Sequence, residues 1–296
     1  MIERRVIAIL LSAEASSQLR KLNATITDMK LLNGRELAEF IKERQAKQVR
    51  ALRQARGIAP KLSIVITTDH PAIQTYVRMK QRYGADILVD VEINQVKQSE
   101  VKELIAVKNA DPTIHGIIVQ LPLADPTETD EICNSVAPTK DVDALGKDAV
   151  YEPATPMAIM WLLAGYNVEL NGKKIVLLGR GKLVGAPLEK RIQTSGYDVV
   201  VIDRKSTDKI EQVAEADIII TATGQPGILH SAMIKPGAVV VDAGVAGEQG
   251  KTVGDLADDV RQRIDLIITP EKGGVGPLTI CALFDNVIRA ASSSSA

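Results

Sequence analysis

Short apolar runs of strand length alternate along the chain with longer segments whose apolar residues recur every three or four positions. KLSIVIT (61–67), DILVDVEI (86–93) and HGIIVQLPL (115–123) read as strands. The segment carrying TYVRMK (75–80), then SEVKELIAVKNA (99–110) and TETDEICNSV (127–136), read as the helices that follow them. Ahead of this series, residues 35–56 have helix-forming composition and end at Gly57. After a polar loop, TKDVDALG (139–146), and the stretch PATP (153–156), a second series begins with a helix over 157–166. KKIVLLGRGKLVGAP (173–187) reads as strand, glycine-rich turn and helix start. Strands over 198–204, 215–224, 238–244 and 265–270 follow, and a helix over 278–291 closes the pattern. Strand and helix in alternation predict an α/β chain with open parallel sheets. The opening RRVIAILLSAEASS is expected to be a strand or helix leading into the first domain, and no run is long enough to span a bilayer.

Length and composition sharpen this picture. A chain of 296 residues favours two domains, and 45% hydrophobic residues suffice for a core in each. With aromatics at only 3%, that core must be built from Ile, Val, Leu and Ala, the composition of buried parallel strands. A net charge of −1 argues against a nucleic-acid partner. Cys133 and Cys281 have neither metal-ligand nor disulfide spacing and read as buried thiols. His70, His115 and His230 are scattered singly, which argues against a metal site, and His115 is expected to play a local structural role. A soluble, cytoplasmic protein is expected.

The candidate chemistry sits where strands end. Tyr76 and Lys80 are four residues apart and share one helical face, which by itself describes a solvated surface as well as an active site. Gln120 lies at the C-terminal end of a strand, where open α/β sheets bind ligands, and KDVD places Asp141 and Asp143 in a loop. Gly179, Gly181 and Gly185 in GRGKLVG make a dinucleotide-type turn stretched by one residue. Asp203 ends the next strand at the offset of a ribose-binding carboxylate, whereas the adjacent Arg204 and Lys205 suit a 2′-phosphate, so NAD and NADP both stay open. Thr223 and Gly224 in TATGQPG, and Gly273, Gly274, Gly276 and Pro277 in EKGGVGPLT, are loops where backbone can approach a ligand or simply turn.

YVRMK, VQLPL, KDVD, PATP, GRGKLVGAP, KPGAVVVDAG and GGVGPLT together, in this order, resemble the bifunctional methylenetetrahydrofolate dehydrogenase/methenyltetrahydrofolate cyclohydrolase family from about Leu32 to the last helix. The resemblance implies two α/β domains with a cleft between them, the second a Rossmann-type doubly wound parallel sheet. It implies a folate catalytic domain over 1–150, completed by the C-terminal helix 278–296, and a dinucleotide domain over 151–277. It further implies a homodimer, NADP (or NAD) as cofactor, and oxidation of 5,10-methylenetetrahydrofolate followed by hydrolysis of the methenyl product to 10-formyltetrahydrofolate. Lys80, Gln120 and Asp143 match the catalytic set: the lysine as general acid/base, Gln120 orienting it, Asp143 bonding the pterin. Tyr76 would stack on the aminobenzoyl group, and Gly273, Gly274, Gly276 and Pro277 would line the substrate site. Gly179, Arg180, Gly181, Gly185, Asp203, Arg204, Lys205, Thr223 and Gly224 would hold the cofactor, with Arg180 and Arg204 foremost at its phosphates. The chain departs from the family pattern at Ala144, where a glycine is usual, at Ala154 for a cysteine, at Gly181 for a serine, at Asp203–Lys205, and at Glu271–Lys272 for Val-Pro. These departures keep alternatives in view: a non-catalytic or cyclohydrolase-only folate-binding relative, or a dehydrogenase of this build acting on another one-carbon carrier.

Overall fold

The computed structural model describes residues 31–206, 210–248 and 251–294. The expected element over RRVIAILLSAEASS lies outside them. The chain forms two compact units, one made of 39–154 and 280–296, the other of the residues through 38 with 155–279.

The first unit is built on a three-stranded parallel sheet of β1 (Lys61–Ile66), β2 (Asp90–Gln95) and β3 (Gly116–Val119), in the order β2-β1-β3. β1 is central and buried, as its apolar run requires, and β3 is buried along its whole length. Its helices are α1 (Gly34–Arg56, from Glu39 onward), α2 (Pro71–Asp86), α3 (Val101–Ala110), α4 (Thr129–Asn134) and α9 (Val275–Ser293, from Ile280 onward). Gly57, at φ 67, donates its N–H to the Arg53 carbonyl and ends α1 as the sequence predicts. Val65, Ile105, Ile114, Ile117, Ile132 and Cys133 share one core under the sheet. Each fully buried aliphatic side chain of this kind stabilises the fold by about 1.5–3 kcal/mol.

The expected strand over 86–93 begins four residues late, because α2 continues to Asp86. Its end folds back, Ile87 N–H bonding the Tyr83 carbonyl and Val89 N–H the Gly84 carbonyl, with Leu88 held at φ 65. Ile87 and Val89 are buried within this turn, ahead of the strand. His115 accepts the Lys61 N–H at Nδ1, 3.2 Å, and burial pushes its pKa down, consistent with a neutral ring serving as a strut.

The second unit is a five-stranded parallel sheet, β10-β7-β6-β4-β5, formed by β4 (Ile175–Leu178), β5 (Val199–Ile202), β6 (Ile218–Thr221), β7 (Val239–Asp242) and β10 (Ile267–Ile268). The order reverses at β4, giving the doubly wound topology of dinucleotide-binding sheets. α5 (Ala154–Gly165), α6 (Gly185–Thr194), α7 (Glu211–Ala214) and α8 (Asp258–Arg261) accompany it. A two-stranded antiparallel ribbon, β8 (Ala246–Glu248) with β9 (Lys251–Val253), carries no apolar alternation and was not expected. Neither cysteine is in a disulfide and both are buried, and no helix among the described residues is long and apolar enough to cross a membrane.

Candidate functional site

In the first unit, Lys80 projects from the third turn of α2 and Gln120 from the residue just after β3. Lys80 Nζ donates to Gln120 Oε1 at 2.8 Å, while Gln120 Nε2 donates to the Leu121 carbonyl at 3.0 Å. The second bond fixes the amide so that its oxygen, not its nitrogen, meets the lysine. Gln120 N–H in turn bonds the Val65 carbonyl of β1, so the amide is held by the sheet. Burial pushes the Lys80 pKa below the ordinary lysine value, and the negative charge of Asp143 acts in the opposite direction. A neutral amine bonded this way keeps its lone pair free to take a proton. Tyr76, one turn earlier on the same helix, is 38% exposed, so its ring is available for stacking.

The two carboxylates of KDVD separate in role. Asp141 is buried and accepts the backbone N–H groups of Gly146 (2.8 Å) and Leu145 (3.3 Å), closing the loop on itself. Burial nonetheless pushes its pKa up. Asp143 is half-buried and electrostatically coupled to Lys80. Ala144, next to it, adopts φ 56, a left-handed conformation that glycine takes without strain. The loop is also held by a residue the sequence reading passed over. Asn286 of α9 is fully buried and donates Nδ2 to the carbonyls of Val142 and Glu152, both at 2.9 Å.

A second polar group missed from sequence anchors α2 itself. The Tyr83 hydroxyl, one turn beyond Lys80, bonds Gln45 Oε1 at 2.7 Å and contacts Cys281 Sγ at 3.2 Å. Gln45, fully buried, donates Nε2 to the Cys281 carbonyl at 2.8 Å, and Arg44 pairs with Asp285 at 2.8 Å. Burial pushes the Cys281 thiol up to about 12 and the Tyr83 phenol upward as well, so both stay protonated. The available signal was a glutamine and an asparagine on the apolar faces of helices 35–56 and 278–291, where an uncharged amide needs buried partners.

In the second unit, the turn between β4 and α6 carries the glycines. Gly179 takes φ 96, and a Cβ there would lie 2.6 Å from the Ala222 carbonyl oxygen. A Cβ on Gly185 would lie 2.2 Å from the Gly179 carbonyl oxygen. Gly181 differs: a Cβ there would meet nothing within 4 Å. Two of the three glycines therefore serve the packing of strand against helix, and the third leaves an open face at the N-terminus of α6, where the partial positive charge favours a phosphate. Such a cradle fits a dinucleotide pyrophosphate. Arg180 is exposed and pairs with Glu189, Nε to Oε2 at 2.6 Å. Asp203 Oδ1 accepts the Lys205 N–H at 2.9 Å and the Ser206 hydroxyl at 2.7 Å, which organises the turn and leaves the Arg204 and Lys205 side chains exposed. Thr223 and Gly224 follow β6, with Gly224 at φ 65.

Gly273, Gly274, Gly276 and Pro277 lie in this unit also, at the entry to α9. A Cβ on Gly34 would fall 1.8 Å from the Gly274 carbonyl oxygen, and Arg35 N–H bonds the Gly273 carbonyl at 2.9 Å. Close backbone packing thus occupies Gly273 and Gly274, whereas a Cβ on Gly276 would meet nothing within 4 Å.

Known proteins share this arrangement. The description "Tetrahydrofolate dehydrogenase/cyclohydrolase, catalytic domain" matches residues 32–143, and its NAD(P)-binding domain matches residues 153–295. A bifunctional protein FolD from an Exiguobacterium species is 36% identical over 276 residues, covering 88% of this chain and 98% of that protein. The crystal structure of the bifunctional FolD dehydrogenase/cyclohydrolase from Campylobacter jejuni superposes with a TM-score of 0.82 at 34% identity, over 88% of this chain and 98% of that one. The methylenetetrahydrofolate dehydrogenase-cyclohydrolase of Trypanosoma brucei, solved with NADP and an inhibitor, gives a TM-score of 0.82 at 30% identity, over 89% of this chain and 97% of that one. With both domain descriptions matched and relatives aligned along nearly their whole length, this chain belongs to the tetrahydrofolate dehydrogenase/cyclohydrolase family.

Proposed function

We propose that this protein oxidises 5,10-methylenetetrahydrofolate to 5,10-methenyltetrahydrofolate with NADP and hydrolyses the product to 10-formyltetrahydrofolate. Family membership supports both activities. The observation that carries the hydrolytic half is the Lys80–Gln120 bond at 2.8 Å beside a lysine whose burial favours the neutral amine.

The unit of 39–154 and 280–296 is the folate catalytic domain in this reading, and the unit containing 155–279 is the dinucleotide domain. Lys80 takes a proton from the water that attacks the methenyl carbon and returns one to N5 as the C–N5 bond breaks, with one proton released overall. Gln120 holds the amine without adding charge. Tyr76 stacks against the aminobenzoyl ring, and Asp143 accepts hydrogen bonds from the pterin's amino and ring N–H groups. Gly276, whose Cβ position is clear, and Pro277 are this unit's candidates for lining the substrate, while Gly273 and Gly274 hold that loop in place.

NADP, when bound, accepts the hydride from the methylene carbon. The chain's part is to hold it. Gly179, Gly181 and Gly185 admit the pyrophosphate to the α6 N-terminus, and Thr223 and Gly224 border it after β6. Arg180, Arg204 and Lys205 supply exposed cations for the 2′-phosphate, with Asp203 committed to shaping their turn. A homodimer acting in the cytoplasm belongs to the same reading and rests on the family resemblance. Retention of the Lys80–Gln120 pair disfavours a non-catalytic relative.

The test is reduction of NADP and of NAD in parallel with 5,10-methylenetetrahydrofolate, with product read after acidification. NADP-linked turnover and separate hydrolysis of methenyltetrahydrofolate are expected. Folded protein that performs neither reaction would overturn the reading.

A further inference from the structure

The dinucleotide unit contains two buried carboxylates that the chemistry above does not use. Asp255, fully buried, lies between β9 and α8. Its Oδ2 accepts the Thr223 N–H at 2.7 Å and its Oδ1 accepts the Gln225 N–H at 3.0 Å. One carboxylate thus grips two backbone donors of the loop that follows β6. That loop is the wall of the glycine turn: the Gly179 Cβ position lies 2.6 Å from the Ala222 carbonyl oxygen and 3.1 Å from the Thr223 methyl. A direct line of contact therefore runs from Asp255 through Thr223 to the turn that receives the pyrophosphate.

Asp255 is itself held. Asp242, at the end of β7, accepts the Asp255 N–H at 3.0 Å and the Gly244 N–H at 3.1 Å through Oδ1, and pairs with Arg261 through Oδ2 at 2.7 Å. The packing leaves no slack. A Cβ on Gly244 would fall 2.1 Å from the Asp255 carboxylate, and one on Gly254 would fall 2.0 Å from that of Asp242. Burial, and secondarily the Asp242 charge, push the Asp255 pKa up, while the backbone donors of Thr223 and Gln225 act in the opposite direction.

We propose that Asp255 is a positioning residue for NADP: through the N–H groups of Thr223 and Gln225 it sets the loop against which the glycine turn is shaped, without touching the cofactor. The inference rests on the assignment of this unit as the NADP site. Uncharged asparagine is the informative replacement. Its carbonyl oxygen can satisfy one of the two N–H groups, but its NH2 then faces the other, leaving that donor unpaired and the loop displaced.

The experiment measures NADP binding by titration calorimetry, dehydrogenase steady state, cyclohydrolase rate and urea unfolding for wild type and Asp255→Asn. The expected result is NADP affinity weakened at least tenfold, with the KM for NADP raised in step. At saturating NADP kcat should stay within about twofold, and the cyclohydrolase rate should stay unchanged. Loss of both activities in proportion to lost stability would reduce Asp255 to a scaffold residue and overturn the proposal. Unchanged NADP affinity in a folded variant would overturn it too. Should Asp255→Asn fail to fold, Arg261→Met, which removes the ion pair of Asp242, is expected to weaken NADP about threefold by the same route; no change there overturns the proposal. Wild-type protein that binds no NADP would instead defeat the cofactor assignment itself.

Discussion

Lys80 Nζ reaches Gln120 Oε1 at 2.8 Å across 40 positions of sequence, and the amide that receives it is oriented by its own second bond to the Leu121 carbonyl. Burial and the opposing charge of Asp143 set how much of the lysine is neutral at a given pH. Burial lowers its pKa, so the neutral fraction rises through a pH range below that of ordinary lysine. Cyclohydrolase kcat/KM should therefore climb with pH and level off before the usual lysine range. Gln120→Glu places an anion against the amine and favours its charged form. The rising limb should move to higher pH and the rate at neutral pH fall about tenfold. A pH–rate profile that does not move would detach Lys80 from proton transfer.

Ala144 carries a different kind of information. At φ 56 it pays for a left-handed backbone beside Asp143. Ala144→Gly should relieve that strain and raise stability by about 0.5–1 kcal/mol, with the loss of chain entropy in glycine already set against it. Urea denaturation of the two proteins measures this directly. A destabilised glycine variant would mean that the alanine methyl makes packing contacts worth more than the strain.

The glycine turn allows two substitutions to be set against each other. Gly185→Ala would drive a methyl to 2.2 Å from the Gly179 carbonyl oxygen and should both destabilise the dinucleotide unit and weaken NADP binding. Gly181→Ser meets no steric obstacle, since nothing lies within 4 Å of its Cβ position. The added hydroxyl offers a phosphate a hydrogen bond worth about 1 kcal/mol, so NADP should bind about fivefold more tightly at unchanged stability. Calorimetry with NADP checks both, and a serine variant that binds more weakly would move the pyrophosphate away from this face.

These residues also mark how far sequence carries. The apolar runs at 61–67 and 115–123 become β1 and β3 because they are buried on both faces, a condition that composition alone expresses. The run at 86–93 misleads for the same reason. Ile87 and Val89 are buried in the turn that follows α2, and an apolar residue there looks like one in a strand. Lys80 and Gln120 were legible as types, one on a helix and one at a strand end, while their meeting required the sheet order. Asn286 and Gln45 showed only as amides on apolar helix faces, and Asp255 not at all, because the backbone carbonyls and N–H groups they bond have no identity in sequence. The glycines at 273 and 274 read as ligand-facing, and the structure adds a second reason for them in the close approach of Gly34.

The partners of Tyr83 set an order of assembly. Gln45 lies well before it in the chain, whereas Cys281 follows it by 198 positions. Every residue from 155 to 279 must emerge before α9 can close over α2. The dinucleotide unit, whose residues all precede Ile280, can fold while the lysine helix still lacks its cover. The lysine helix thus gains its full anchorage only after α9 has been made, and a chain ending before Cys281 would carry Lys80 on a helix whose Tyr83 lacks its contact with α9.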